Sequence, residues 1–242
     1  MNLTEAADRW LESPLGAAVF ALETALLQDE LADVVGFELL QIGRWGDSTR
    51  LCAGARTRHR TLIAPDATAT SAIRAHFDAL PIATNSVEAV LLPHTLEHAE
   101  RPHLILREVD RVLVGEGNVV ICAFNPWGPW GFRHFTARGN FPPHAVRFMS
   151  ERRTRDWLTL LGFEVVAARR YLFAPPWTQR VFGLTPGSWF EQQGPLLASP
   201  FAGAYLLKAR KRVHAVMPIR PAWTSRPVLV RGAPEPTTRQ AA

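Results

Sequence analysis

Residues Ser86 to Asn125, SVEAVLLPHTLEHAERPHLILREVDRVLVGEGNVVICAFN, decide the fold. Val87, Ala89, Val90, Leu91 and Leu92 form a short apolar run closed by Pro93, the pattern of a strand covered on both faces. From Pro102 the period becomes helical. Leu104, Ile105, Leu106, Val109, Val112 and Leu113 share one face, while Arg101, Arg107, Glu108, Asp110 and Arg111 take the other. Gly115 and Gly117 read as the helix stop, and Val119 to Phe124 as a second apolar strand. Strand, crossover helix and strand within about 40 residues make a βαβ unit, which commits the chain to a parallel sheet with helices on its faces.

Upstream of that unit, Ser13-Pro14 starts a helix with a hydroxyl cap and a first-turn proline. Leu15, Val19, Leu22, Leu26 and Leu27 give it an apolar stripe, and it is expected to run to about Val35 and end at Gly36. Phe37 to Ile42 reads as a strand, followed by the glycine-bearing turn QIGRWGDS. Arg60 to Ile63 is a second strand, ending at Ala64-Pro65-Asp66, and Ala72 to Phe77 a third. An acid in the place of Asp66 accepts ribose hydroxyls in many nucleotide sites, and it is equally an ordinary turn residue.

Downstream, Asn125 to Gly131 is an aromatic, glycine-rich loop at a strand's carboxyl end, where open α/β sheets bind ligands. Its Trp127 and Trp130 serve either to stack on a substrate or simply to pack. Ser150 caps a helix reaching about Leu161, and Phe163 to Ala167 and Ala204 to Leu207 read as two more strands. The loop from Phe173 to Pro200 is long enough to cover a substrate. Three parts follow: a helical extension over 1–36, a main domain over 37–212 and a basic, proline-rich tail over 213–242 expected to be disordered.

The 242 residues, 47% of them hydrophobic, suffice for one α/β domain with extensions. No apolar run approaches the length of a membrane span, and MNLTEAADRW lacks a secretory pattern, so a cytoplasmic protein is expected. Cys52 and Cys122 are read as reduced thiols, and no metal site is expected. Of the net charge of +5, the stretch from Lys208 onward contributes +7, with eight basic residues against Glu235, leaving −2 on the body. Such a tail is either a solvated segment or an electrostatic handle for nucleic acid.

The runs LPIATNSVEAVLLPHTLEH and LILREVDRVLVGEGNVVICAFNP resemble the class I S-adenosylmethionine-dependent methyltransferases of the UbiE/UbiG-like, type 11 group over about Phe37 to Leu207. Leu80-Pro81-Ile82, Leu96-Glu97-His98, Arg107-Glu108 with Arg111-Val112-Leu113, and Gly115 with Gly117 carry that likeness. The resemblance implies a doubly wound, mostly parallel seven-stranded sheet of order 3-2-1-4-5-7-6, a Rossmann-like fold, with S-adenosyl-L-methionine as cofactor. It places Gln41 where the family has an acid and keeps Gly43. Trp45 and Asp47 stand at the second and third glycine positions, with Gly46 the nearest substitute. His76 falls at the acidic position before Leu80, and Asp78 two residues later. Backbone amides of Phe77, Asp78 and Ala79 would read the adenine edge, and His94 would line the same site.

Methyl transfer is a direct displacement, so alignment and exclusion of water dominate. A base helps a hydroxyl or ammonium acceptor. His94 and His98, just past the fourth strand, are placed for that role or for local loop contacts; His134 and His144 are more distant. Three functions are expected in this order: methyl transfer to a small or medium-sized acceptor, a non-catalytic binding or regulatory role, and methylation of nucleic acid.

Overall fold

The computed structural model describes residues 3–65, 72–137, 141–143, 145, 147–178, 201–213 and 232. Its strands are β1 (Val35–Ile42), β2 (Arg56–Ala64), β3 (Ala72–Arg74), β4 (Val87–Pro93), β5 (Leu113–Phe124), β6 (Phe163–Tyr171) and β7 (Ala204–Lys211). They form one sheet of order β3-β2-β1-β4-β5-β7-β6. The first five run parallel, and β7 is antiparallel to both β5 and β6. This is the architecture that the resemblance implied.

The helices among the described residues are α1 (Leu3–Leu11), α2 (Pro14–Leu31), α3 (Ser48–Leu51), α4 (Thr95–His98), α5 (Pro102–Val112), α6 (Pro129–Thr136) and α7 (Glu151–Leu160). Side chains alternate across the sheet, so β5 sends Val120, Cys122 and Phe124 to one apolar cluster and Val119, Ile121 and Ala123 to the other. The first cluster is completed by Val19, Phe20, Leu27 and Leu31 of α2, the second by Ile105, Leu106, Val109 and Val112 of α5. Burying each of those α5 side chains is worth roughly 1.5–3 kcal/mol, which outweighs the modest intrinsic stability of a helix of three turns.

Several boundaries differ from expectation. Helix α2 ends at Leu31, and Val35 and Gly36 already belong to β1, because Val35 pairs with Arg56 and Gly36 with Thr57. Gly115 and Gly117 do not stop a helix: α5 ends at Val112 and both glycines lie within β5. Pairing there jumps from Val87 with Leu113 to Ala89 with Asn118, an irregularity that small residues accommodate. Strand β3 stops at Arg74, short of Phe77. Asp66, His144, most of the loop ending at Pro200 and all of the tail past Val213 but Gly232 lie outside the described residues.

Candidate active site

The loops that leave β1, β4 and β5 meet at the carboxyl edge of the sheet. After β1, Gly43 turns with φ +89°, and a Cβ there would come within 2.5 Å of Thr95 Oγ1. The Thr95 hydroxyl in turn donates to the Ile42 carbonyl, and Gly43 N–H donates to Ile63 O at 2.9 Å. Two residues on, Trp45 is folded inward and 2% exposed. Asp47 caps α3 by accepting from Thr49 N–H at 2.9 Å, so it acts in the helix start and leaves Trp45 to fill the turn.

After β4, His94 adopts a left-handed backbone with φ 54° and is wholly buried. Its ring lies between Trp45 and Phe124, each with centroids 4.3 Å away. Nε2 meets Glu23 Oε1 at 2.7 Å and Nδ1 meets Glu97 Oε2 at 2.8 Å. Glu23 projects from α2 and also accepts from the Trp45 indole N–H at 2.7 Å and the Tyr171 hydroxyl at 3.0 Å. The second oxygen of Glu97 accepts the Phe124 N–H.

Burial alone would lower the pKa of His94, but the two carboxylates outweigh it and raise the value to about 10. The ring is therefore an imidazolium at neutral pH, with both nitrogens donating. Burial raises the Glu97 carboxyl, with His94 pulling the other way. Burial also raises the Cys122 thiol and the Tyr171 phenol, so both stay protonated beside the cluster.

The expected residues fall into separate places. Gln41 is buried, and its amide donates to Gly43 O at 3.0 Å while its oxygen accepts from Cys52 Sγ at 3.4 Å. Burial pushes that thiol up to about 12. Gly46, at φ 58°, faces the Phe20 ring. His76, Asp78 and Ala79 are exposed and Phe77 half-buried after β3. Phe77 and Asp78 line a hollow of about 200 Å³ with Ala99, Glu100, Arg101 and Ile105. His98 is half-buried at the end of α4, and His134 donates through Nδ1 to Phe141 O at 2.8 Å against the Phe148 ring. Trp130 is buried and donates to Ala174 O at 3.0 Å, whereas Trp127 is 73% exposed.

Glu23 and Tyr171 were not singled out from sequence. Glu23 had a legible signal, since it sits four residues from both Val19 and Leu27 and so lies on the buried stripe of α2. Tyr171 had none, because it ends a strand whose other residues alternate unremarkably.

A doubly wound sheet with an antiparallel strand inserted beside β5, and a site on the loops after β1 and β4, defines the class I methyltransferase architecture. Residues 46–121 match the methyltransferase-domain family. YafS of Escherichia coli (strain K12) is 32% identical over 211 residues, covering 86% of this chain and 82% of the relative. A methyltransferase from Thermotoga maritima, described as a possible histamine N-methyltransferase, superposes with a TM-score of 0.66 at 14% identity, over 87% of this chain and all of its own. Geranyl diphosphate C-methyltransferase of Streptomyces coelicolor A3(2) does so with a TM-score of 0.57 at 14% identity, over 80% of this chain and 79% of its own. The chain belongs to the family of S-adenosylmethionine-dependent methyltransferases, and S-adenosylmethionine is the cofactor of that family.

The site fits that cofactor unevenly. The hollow beside Phe77 and Asp78 lies on the loops after β3 and β4, whereas the Ala79 N–H expected to read an adenine edge donates to His76 O at 3.3 Å. At the other end, the Trp45 indole stands over His94 and fills the space beside β1. The described arrangement is thus closed at Trp45. Among the described residues no helix is long and apolar enough to cross a membrane, and no group of His, Cys, Asp and Glu is disposed to hold a metal ion.

Proposed function

We propose that the protein transfers a methyl group from S-adenosylmethionine to a small or medium-sized acceptor at the carboxyl edge of the sheet. The observation supporting this is the sheet of order β3-β2-β1-β4-β5-β7-β6 with a hollow of about 200 Å³ at the loops after β3 and β4, lined by Phe77, Asp78, Glu100 and Arg101. Nucleic acid is the less favoured acceptor, since Lys208, Lys211 and Arg212 of the basic stretch are paired with Asp33, Asp110, and Glu116 and Glu164.

Bound S-adenosylmethionine supplies an electrophilic methyl carbon on a sulfonium. The residues present supply surroundings for it: Phe124 and Trp130 exclude water, and His94 holds Glu23 and Glu97 in fixed positions. His94, as a doubly donating cation, has no lone pair with which to act as a base. Proton removal from an acceptor falls instead to a group at the rim, and we assign that role to His98.

Calorimetric titration of the full chain with S-adenosylmethionine and S-adenosylhomocysteine tests the proposal. Measurable heat and a rise in melting temperature are expected. No heat and no thermal shift at about millimolar ligand would overturn it and leave a binding or regulatory role on a methyltransferase frame.

A further inference from the structure

The hollow beside Phe77 has a counterpart on the opposite face of the sheet. There Cys52 joins the apolar cluster under α2, whereas Ile105 of the first hollow joins the cluster under α5. The second hollow, of about 150 Å³, opens between α3 and β2 and is lined by Gln41, Ser48, Thr49, Cys52, Arg60 and Thr61. Unlike the sealed His94 cluster it is reached from solvent, since Thr49 and Arg60 are exposed and Ser48 is half-buried.

Its polar lining offers donors. The Arg60 guanidinium gives one N–H to Ala55 O at 2.8 Å and pairs with no carboxylate among the described residues. The Ser48 and Thr49 hydroxyls have no partner among the described residues. Gln41 Nε2 gives one hydrogen to Gly43 O at 3.0 Å and carries a second, while Gln41 Oε1 is taken by Cys52 Sγ at 3.4 Å. Burial holds Cys52 as a protonated thiol, and the Arg60 charge pulls its pKa the other way, so the guanidinium's field reaches the hollow's floor. The adjoining acids serve other groups: Glu38 accepts the Thr61 hydroxyl, and Asp47 accepts the Thr49 N–H at 2.9 Å.

Gln41 decides the sign of this space. It lies one side-chain step along β1 from Leu39, whose partner on β2 is Arg60, so the acid that the family resemblance places there would face the guanidinium from the same side of the sheet. Glutamine leaves that charge without a counter-ion. An anion with several acceptor oxygens satisfies the guanidinium and the idle hydroxyls together.

We propose that this hollow binds a small oxyanion, a phosphate or carboxylate group, held by the Arg60 guanidinium, the Ser48 and Thr49 hydroxyls and the second hydrogen of the Gln41 amide. The site lies directly behind the Gly43 turn and does not depend on methyl transfer, so its failure would leave that reading untouched.

Calorimetric titration and thermal unfolding of the full chain with sodium phosphate and with sodium malonate, against sodium chloride at equal ionic strength, test it. Saturable binding with a dissociation constant below about 1 mM is expected, and the tighter of the two anions tells a phosphate ligand from a carboxylate. Arg60→Gln should weaken that binding by about 10-fold to 100-fold, and Gln41→Glu, which returns the acid, by at least as much. Thr49→Val, at an exposed position whose hydroxyl holds nothing in the fold, should weaken it several-fold. Arg58→Gln, exposed on the same strand but outside the lining, should bind like wild type. Binding that fails to saturate by about 10 mM, or that Arg58→Gln weakens as much as Arg60→Gln, would mean an adventitious ion only and overturn the proposal. So would a folded Gln41→Glu protein that binds both anions like wild type.

Discussion

Two acid and base clusters face each other across the sheet, alike in composition and opposite in setting. On one side Glu23, His94 and Glu97 are sealed in the core. On the other, Arg111 of α5 grips Glu108 through two bonds of 2.8 and 3.0 Å and donates to Leu80 O at 3.0 Å and Ile82 O at 2.9 Å, while Glu108 accepts the Leu80 N–H at 2.9 Å. Arg111 and Glu108 keep 33% and 19% of their side-chain surface in water. The Arg111 cluster pins the loop before β4 with groups that lose little if separated. The His94 cluster consists of groups that only one another can satisfy, so losing one strands the rest. Hydrogen bonds alone do not distinguish the two; access to water does.

Replacing His94 by Leu should be the most damaging change, since it buries two carboxylates without their cation. A loss of about 3–5 kcal/mol is expected in chemical denaturation, and a loss below about 1 kcal/mol would show the two clusters to be equivalent. The pH dependence comes next. His94 holds its proton more tightly folded, near pKa 10, than at its ordinary 6.5, so unfolding releases it. Its contribution is complete below about pH 6.5 and drains away as pH rises toward 10, so the denaturation midpoint should fall across that window in wild type and stay flatter in His94→Leu. Arg111→Ala should cost less, about 1–3 kcal/mol, mainly by releasing the Leu80 and Ile82 carbonyls, with no comparable pH trend.

The contrast also explains what could be read in the residues and what could not. The βαβ unit was legible because Val87 to Leu92 and Val119 to Phe124 are apolar on both faces, and α5 because its buried positions repeat at helical spacing. Strand β2 was read as Arg60 to Ile63 yet begins at Arg56, since Arg56, Arg58, His59 and Arg60 are exposed and held by backbone pairing to β1, which leaves no hydropathy trace. In the site, His94 drew notice from its place just past the fourth strand and Trp45 from standing where the family resemblance expects a glycine. Their connection through Glu23 spans 71 residues from His94 and depends on how α2 lies across the sheet, which no local window contains.

One surface contact bears on how this site answers its surroundings. Arg44, the neighbour of Trp45, pairs with Asp8 of α1 at 2.9 Å, and both side chains are about a third in solvent. That pair ties the turn carrying Trp45 to α1 at the surface, and as an exposed pair it is a tether that dissolved salt weakens.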